Sequence, residues 1–249
     1  MNKIYLALAL GAVFAACSTE SASSANDKNN ENGDFDKVSV VTGTMEDARD
    51  GKTYKTVTIK DQTWMAENLN YAIDNSSCVE GDSENCETFG RLYSWTAAMD
   101  SATTGCGYVV VCEAADSIAQ PKVQGICPEG WHIPTDSEWD ILIEVTGDAD
   151  HAAQALKSKD VWTRDAGVDK YKFNVLPTGY RGEKGDYTQP ETATFWASTE
   201  FIQTSANTDM YPTGKYSRNA CARYIDRDIS VKHRSYDKKT ARSVRCIKD

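Results

Sequence analysis

Gly125-Ile126-Cys127-Pro128-Glu129-Gly130-Trp131-His132-Ile133-Pro134-Thr135-Asp136-Ser137-Glu138-Trp139 reads as a turn-rich approach to one well-signalled helix. Thr135 and Glu138 have the spacing of a capping box. The Thr hydroxyl can accept from the third helical N–H, and the Glu carboxylate can reach back to the cap. Pro134 sets the entry. Trp139, Leu142, Ile143 and Val145 form an apolar stripe, and Gly147 stops the helix. A second short helix is expected from Ala149 to Ser158.

Outward from this helix the pattern changes on both sides. Upstream, Asp50-Gly51 is a tight-turn signal, Thr53 to Ile59 alternates as a strand, Lys60-Asp61 turns it, and Gln62 to Met65 continues it. Arg91 to Met99 places Leu92, Trp95, Ala98 and Met99 near one face and predicts a helix. Downstream, Phe173 to Leu176, Thr194 to Ser198, Ala222 to Ile225 and Ser243 to Ile247 are the expected strands, separated by long Gly-containing and polar loops. Strands, then helices, then strands imply an α+β fold with a mainly antiparallel twisted sheet and two or three short helices. Trp64, Trp95, Trp131, Trp139 and Trp196 are expected in the core.

The N-terminus has a different chemistry. Lys3 precedes an apolar run from Ile4 to Ala16, the length of a signal-peptide core and too short for an ordinary membrane span. Phe14-Ala15-Ala16-Cys17 resembles a lipobox, with Phe14 where an aliphatic residue is usual. The small residues fit a narrow protease groove, and the thiol is the nucleophile that takes the lipid. Ordinary cleavage after Ala25 is the alternative. Residues 1–16 are therefore expected to be a lipoprotein signal peptide. Residues 17–37 should be a lipidated N-terminus and polar tether, and 38–249 one folded domain. Acylation of Cys17 would anchor the chain to a lipid bilayer, most simply the outer membrane of an exported envelope protein. The formal charge of −10 argues against a nucleic-acid partner, which needs clustered cations.

With Cys17 set aside, seven cysteines remain. Export permits disulfides. Cys78/Cys86 and Cys106/Cys112 bracket short loops and invite local pairing. Cys127 with Cys246 would close a loop of about 120 residues, stabilising by nearly 5 kcal/mol in the chain-entropy description. Six cysteines allow 15 pairings, so spacing alone leaves the connectivity open. Cys221 is left over, as a buried thiol or an intermolecular bridge. No C-x-x-C pair occurs and His132, His151 and His233 are scattered, so zinc-ligand spacing is absent.

Several blocks then become recognisable together. They are Asp47 to Val57, Gln62 to Tyr71, Gly90 to Trp95, Gly125 to Thr135, Phe195 to Glu200 and Ser243 to Asp249. In order and content they resemble the Fibrobacter succinogenes major paralogous domain from about residue 45 onward. The resemblance implies a surface or secreted lipoprotein of unassigned biochemical role. His132 to Trp139 is also similar, more distantly, to the helix entry of the sulfatase-modifying-factor and C-type-lectin-like fold. That implies a compact, disulfide-braced α+β scaffold with long irregular loops. The formylglycine-generating enzymes of that fold use two nearby cysteines to hold copper; here Cys221 has no matching neighbour, which removes that carry-over.

No hydrolase, zincin or phosphate-loop motif is present, and no catalytic residue is assigned. The expectation is a non-catalytic binding module without a cofactor, for polysaccharide or another envelope component. Tyr180, Tyr187, Tyr211 and Tyr216 are the ligand-binding candidates, because phenol faces stack on the apolar faces of sugar rings. A purely structural envelope protein and an enzyme on the same scaffold are the alternatives. Calcium is weighed at Gln189-Pro190-Glu191 and in the acidic loop of Asp74, Glu80, Asp82, Glu84 and Glu87. The first resembles the Gln-Pro-Asp motif of C-type lectins but no Trp-Asn-Asp partner follows it, and the second lacks the spacing of a known calcium loop. His132 reads as a structural histidine beside the capping box.

Overall fold

The computed structural model describes residues 38–112, 122–147, 151–207, 209–210 and 215–249. Cys17, the leader, the tether and Tyr211 lie outside the described residues. The chain opens with the strands β1 (Val40–Asp47), β2 (Lys52–Ile59) and β3 (Gln62–Met65). They form an antiparallel meander, with Val40 opposite Ile59 and Val57 opposite Trp64. β4 (Ser76–Cys78), helix α1 (Ser83–Phe89) and β5 (Arg91–Ser94) follow, then the single-turn helices α2 (Trp95–Ala98) and α3 (Ser101–Thr104). β6 (Trp131–His132) leads into α4 (Asp136–Val145) and α5 (Ala152–Leu156). A two-residue hairpin, β7 (Tyr180–Arg181) and β8 (Tyr187–Thr188), precedes the long strands β9 (Ala193–Thr204), β10 (Lys215–Ile225) and β11 (Val231–Asp237). β12 (Ala241–Ser243) and β13 (Ile247–Lys248) end the chain.

Two sheets result. The smaller has the order β1-β2-β3-β13-β6, so the first and last strands of the fold share one layer. The larger has the order β11-β10-β9-β12-β5-β4, with β7 beside β12 and β8 beside β7. Pairing is antiparallel except where Ser243 of β12 meets Phe195 of β9. The architecture is α+β, mostly sheet with a few short helices. Among the described residues no helix is long and apolar enough to cross a membrane.

Four expected elements are corrected. Arg91 to Met99 is not one helix: Arg91–Ser94 is a strand between β4 and β12, and only Trp95–Ala98 is helical. Leu92 and Tyr93 point to opposite faces and are both buried, so no polar helix face is left over. Ser94 then caps α2, accepting from Ala97 N at 3.2 Å. Phe173 to Leu176 is not a strand. Lys172 and Asn174 have φ of 58° and 54°, and the carbonyls of Phe173 and Asn174 accept from the buried guanidinium of Arg245. Ser243 to Ile247 is split, because the chain leaves the large sheet after Ser243 and joins the small one at Ile247. In α5, helix geometry covers Ala152–Leu156 rather than extending to Ser158.

α4 packs on β9 and β10. Asp136 N donates to Thr199 Oγ1 at 3.0 Å, and Ser198 N donates to Pro134 O at 2.8 Å. One side of the core gathers Trp64, Trp139, Phe173 and Phe195, with Trp64 and Trp139 centroids 4.7 Å apart. The other gathers Tyr93, Trp95, Met99, Trp131 and Trp196. Both indoles at its centre are satisfied: Trp95 Nε1 donates to Ala197 O and Trp196 Nε1 to Tyr93 O. Gly125 is needed where the chain crosses α2. Its φ is +53°, and a Cβ there would stand 2.3 Å from Ala98 O.

Disulfides join Cys78 to Cys86, Cys106 to Cys112 and Cys127 to Cys246. The expectation that Cys221 is left over is corrected: it is buried at 1% exposure in β10, and no described cysteine is free.

Candidate functional site

Residues opposite one another in an antiparallel ladder share a face. On the large sheet this rule collects one unusual surface. Tyr224 lies opposite Thr194 and Lys232; Ala222 lies opposite Trp196 and Arg234; Ala220 lies opposite Tyr236. Tyr180 lies opposite Thr188 on the short hairpin, whose Arg181 is paired with Ala241, bringing Tyr180 beside Arg242. Ala220, Ala222 and Trp196 are buried along the middle of this face, and the rings of Tyr180, Tyr224 and Tyr236 are half-buried around it.

Arg242 is the centre of this surface. Its Cζ lies 3.5 Å from the Tyr236 ring centroid, 4.7 Å from that of Tyr180 and 5.2 Å from that of Trp196. The residue is 1% exposed. Among the described residues it has no carboxylate partner, and its Nε and Nη1 have no hydrogen-bond acceptor. Thr188 Oγ1 and Thr194 Oγ1, on the same face, are also buried without a partner. Burial lowers the Arg242 pKa to about 10 against the attraction of Tyr236, Tyr180 and Tyr224, so the guanidinium stays cationic at neutral pH. Burial raises the phenols of Tyr224 and Tyr236 above 10.0, although nearby cations oppose this, so both keep their protons. Arg234 is exposed and stacks on Tyr224 at 5.2 Å.

A buried cation normally has a carboxylate or a full set of acceptors. Cation–π contacts return about 0.5–2 kcal/mol each and leave the in-plane N–H groups unserved. The face therefore offers aromatic walls, phenol and threonine hydroxyls, and donors that lack an acceptor. It carries no nucleophile–base pair among the described residues. Two clefts, of about 460 and 220 Å³, lie elsewhere, one lined by Lys55 and Asn174 and the other by Tyr54 and Glu87. Their linings lack this combination of rings and orphaned donors.

Of the tyrosines expected from sequence, Tyr180 belongs to this face. Tyr187 is opposite Arg181, on the other side of the hairpin. Tyr216 is opposite Gln203, eight residues before Tyr224 and thus roughly 25 Å along the strand. The structure therefore does not bring Tyr180, Tyr187 and Tyr216 together. Tyr224, Tyr236, Arg234 and Arg242 went unread. The available signal was alternation in Arg242-Ser243-Val244-Arg245, which puts two arginines at an odd spacing inside a buried C-terminal segment.

Several of the other polar candidates have structural partners. Asp82 caps α1, accepting from Glu84 N, and Glu87 accepts from Asn70 Nδ2. Glu191 accepts from Thr163 Oγ1 and lies 3.6 Å from Arg227 Nε. Asp136, Cys221 and His233 bring potential ligand atoms within 4.8 Å of one another. Asp136 is already ion-paired to Arg223 and His233, both at 2.8 Å, so this cluster ties α4 to β10 and β11.

His132 is 1% exposed; Nδ1 meets Asp249 Oδ1 at 2.7 Å and Nε2 meets Glu138 Oε1 at 2.9 Å. Glu138 also accepts from Thr135 N at 2.8 Å, completing the capping box. Burial would raise the Glu138 pKa, but the bonds from His132 and Thr135 outweigh it and hold the group below 4.5. A carboxylate depressed in the folded state stabilises above its unfolded pKa and loses that stabilisation as pH falls through the folded value. Glu138→Gln is expected to cost about 1–2 kcal/mol at pH 7. That deficit should shrink as pH is taken below 4.5. Urea midpoints across that range would show it; a deficit independent of pH would refute the assignment.

These features define a disulfide-braced, two-sheet α+β module that presents an aromatic and cationic face. The chain belongs to the Fibrobacter succinogenes major domain family, whose sequence profile matches residues 57–248. No curated protein and no solved structure matches the chain.

Proposed function

We propose that this protein is a non-catalytic, cell-surface lipoprotein that binds polysaccharide on the Tyr180–Tyr224–Tyr236 face of its large sheet. The observation that carries this reading is the set of half-buried phenol rings around hydroxyl and guanidinium groups that lack partners. Sugar rings pair apolar C–H faces with a rim of hydroxyls, and the face matches both. The scaffold is read as C-type-lectin-like. That reading is supported by the presence of the first and last strands in one small sheet and by long connections such as residues 157–179. Lipidation of Cys17 in the outer membrane, with residues 18–37 as a tether, would hold this face outside the cell.

The test is a glycan array probed with the full chain in detergent micelles, followed by calorimetry on the best binder. Tyr180→Ala is expected to weaken binding by about tenfold, the loss of one stacked ring. Absence of binding to every glycan by folded protein would refute the reading. So would an unchanged affinity in Tyr180→Ala. Mass spectrometry of the mature N-terminus would separately show whether Cys17 carries the lipid.

A further inference from the structure

We infer that the aromatic face is specific for acidic sugars, and that Arg234 and Arg242 together receive the carboxylate of a uronic-acid unit. The inference rests on the glycan-binding reading above and adds the chemical class of the ligand.

It begins with charge. The chain carries 37 acidic residues against 27 Lys and Arg. In such a protein most cations can find a carboxylate, and many here do. Lys232 is held between Asp226 and Asp228; Arg223 meets Asp136 and Asp140; Lys239 meets Glu183. Arg234 and Arg242 depart from this pattern. Among the described residues neither has an acidic partner, and both are stacked on tyrosines of one face. Arg242 is the more demanding of the two. It is almost fully buried, its Nε and Nη1 have no acceptor, and its charge is balanced by nothing but rings.

Geometry then selects the ligand. A guanidinium stacked by its face on Tyr236 keeps its N–H groups in a plane running alongside the ring. A carboxylate accepts from such a plane by two parallel hydrogen bonds, which a neutral hydroxyl cannot do. The same ligand must offer an apolar ring face to Tyr180 or Tyr224, and hydroxyls to the orphaned Thr188 and Thr194. A sugar acid combines all three features in one unit. Arg234 is exposed and makes the first contact; Arg242 is 1% exposed, 4.7 Å from the half-buried Tyr180 ring, and receives the carboxylate when that ring moves aside.

Calorimetry with the full chain in detergent micelles tests this. The probes are a galacturonic-acid hexasaccharide, a galactose hexasaccharide and a hexaglutamate peptide. The acidic sugar is expected to bind about tenfold tighter than the neutral one, as a charge-assisted pair would give. That preference should shrink as salt rises from about 50 to about 500 mM. Arg234→Ala, at an exposed site, should cut the acidic-to-neutral ratio by about fivefold. Arg242→Lys should also reduce it, since it keeps the charge but loses the planar fork. Lys55→Ala, exposed on the small sheet, should change nothing. Equal affinity for the two sugars, or a ratio unmoved by Arg234→Ala, would overturn the inference while leaving glycan binding intact. Hexaglutamate binding as tightly as the uronate would overturn it in favour of an acidic peptide. Failure of both sugars would remove the glycan reading as well. Should Arg242→Lys fail to fold, Arg234→Ala and the salt series still decide the matter.

Discussion

The double replacement Cys127→Ser/Cys246→Ser is expected to lower stability by about 5 kcal/mol, more than the loss of Cys78–Cys86 or of Cys106–Cys112. The bridge spans 119 residues, against 8 for Cys78–Cys86 and 6 for Cys106–Cys112. Closing a longer loop removes more freedom from the unfolded chain, and each short bridge contributes only about 2–3 kcal/mol by the same relation. Position adds to the effect. Cys246 lies between β12 and β13, where the backbone passes from the large sheet to the small one, and its carbonyl accepts from Met65 N at 2.9 Å. Cys127 lies on the approach to β6 and α4. Both sulfurs are fully buried in the core that holds Trp95 and Trp196. The bridge thus ties the helix entry to the last strand across the seam of the two sheets. For a domain of this size the loss corresponds to about 10–20 °C in Tm. Thermal unfolding of this variant beside Cys78→Ser/Cys86→Ser checks the account. Equal losses would show that loop length does not govern the effect.

What could be read from sequence was local, and what could not was the chemistry of long-range partners. The capping box at Thr135 and Glu138 is legible because its signal lies within four residues. The β2–β3 turn at Lys60-Asp61 is legible for the same reason, and the buried tryptophans follow from size and apolarity alone. β11 was invisible. Val231–Asp237 carries Lys232, His233, Arg234 and Asp237, with no apolar alternation, as a charged edge strand does. The buried cations were equally hidden. Lys157 donates to Asp228 O, 71 residues away, and Arg245 to the carbonyls of Phe173 and Asn174, 72 and 71 residues away. Carbonyls leave no trace in side-chain identity. Of the candidate site, Tyr180 was within reach because it lies in a Gly-containing loop region. Arg242 was not, because a stretch that buries Val244 and Cys246 reads as an ordinary apolar strand.

The same blindness to buried charge covers the pair with the second large expected effect. Lys238→Met is expected to destabilise the fold by about 3–5 kcal/mol. Lys238 and Glu200 form an ion pair in which both side chains are essentially unexposed. Lys238 Nζ also donates to Gly107 O at 3.0 Å and stands 4.3 Å over the Trp95 ring. Glu200 Oε2 accepts from Cys112 N at 2.7 Å. The pair thus fastens the Cys106–Cys112 loop to β9 and the turn after β11. Burial raises the Glu200 pKa and lowers that of Lys238, and their mutual attraction opposes both shifts. Removing the ammonium leaves a buried carboxylate without a counter-charge, so in Lys238→Met the Glu200 pKa rises further. A carboxylate raised in the folded state is most costly above its folded pKa. The cost fades as pH falls toward the unfolded value near 4.5. The deficit of Lys238→Met should therefore be larger at pH 7 than at about pH 5. Glu200→Leu/Lys238→Met should recover most of the loss, because it removes both desolvated charges while filling similar volume. Urea unfolding of the two variants at both pH values separates the possibilities. A double variant as unstable as Lys238→Met would mean that the loop anchoring through Gly107 and Cys112, and not the uncompensated charge, carries the energy.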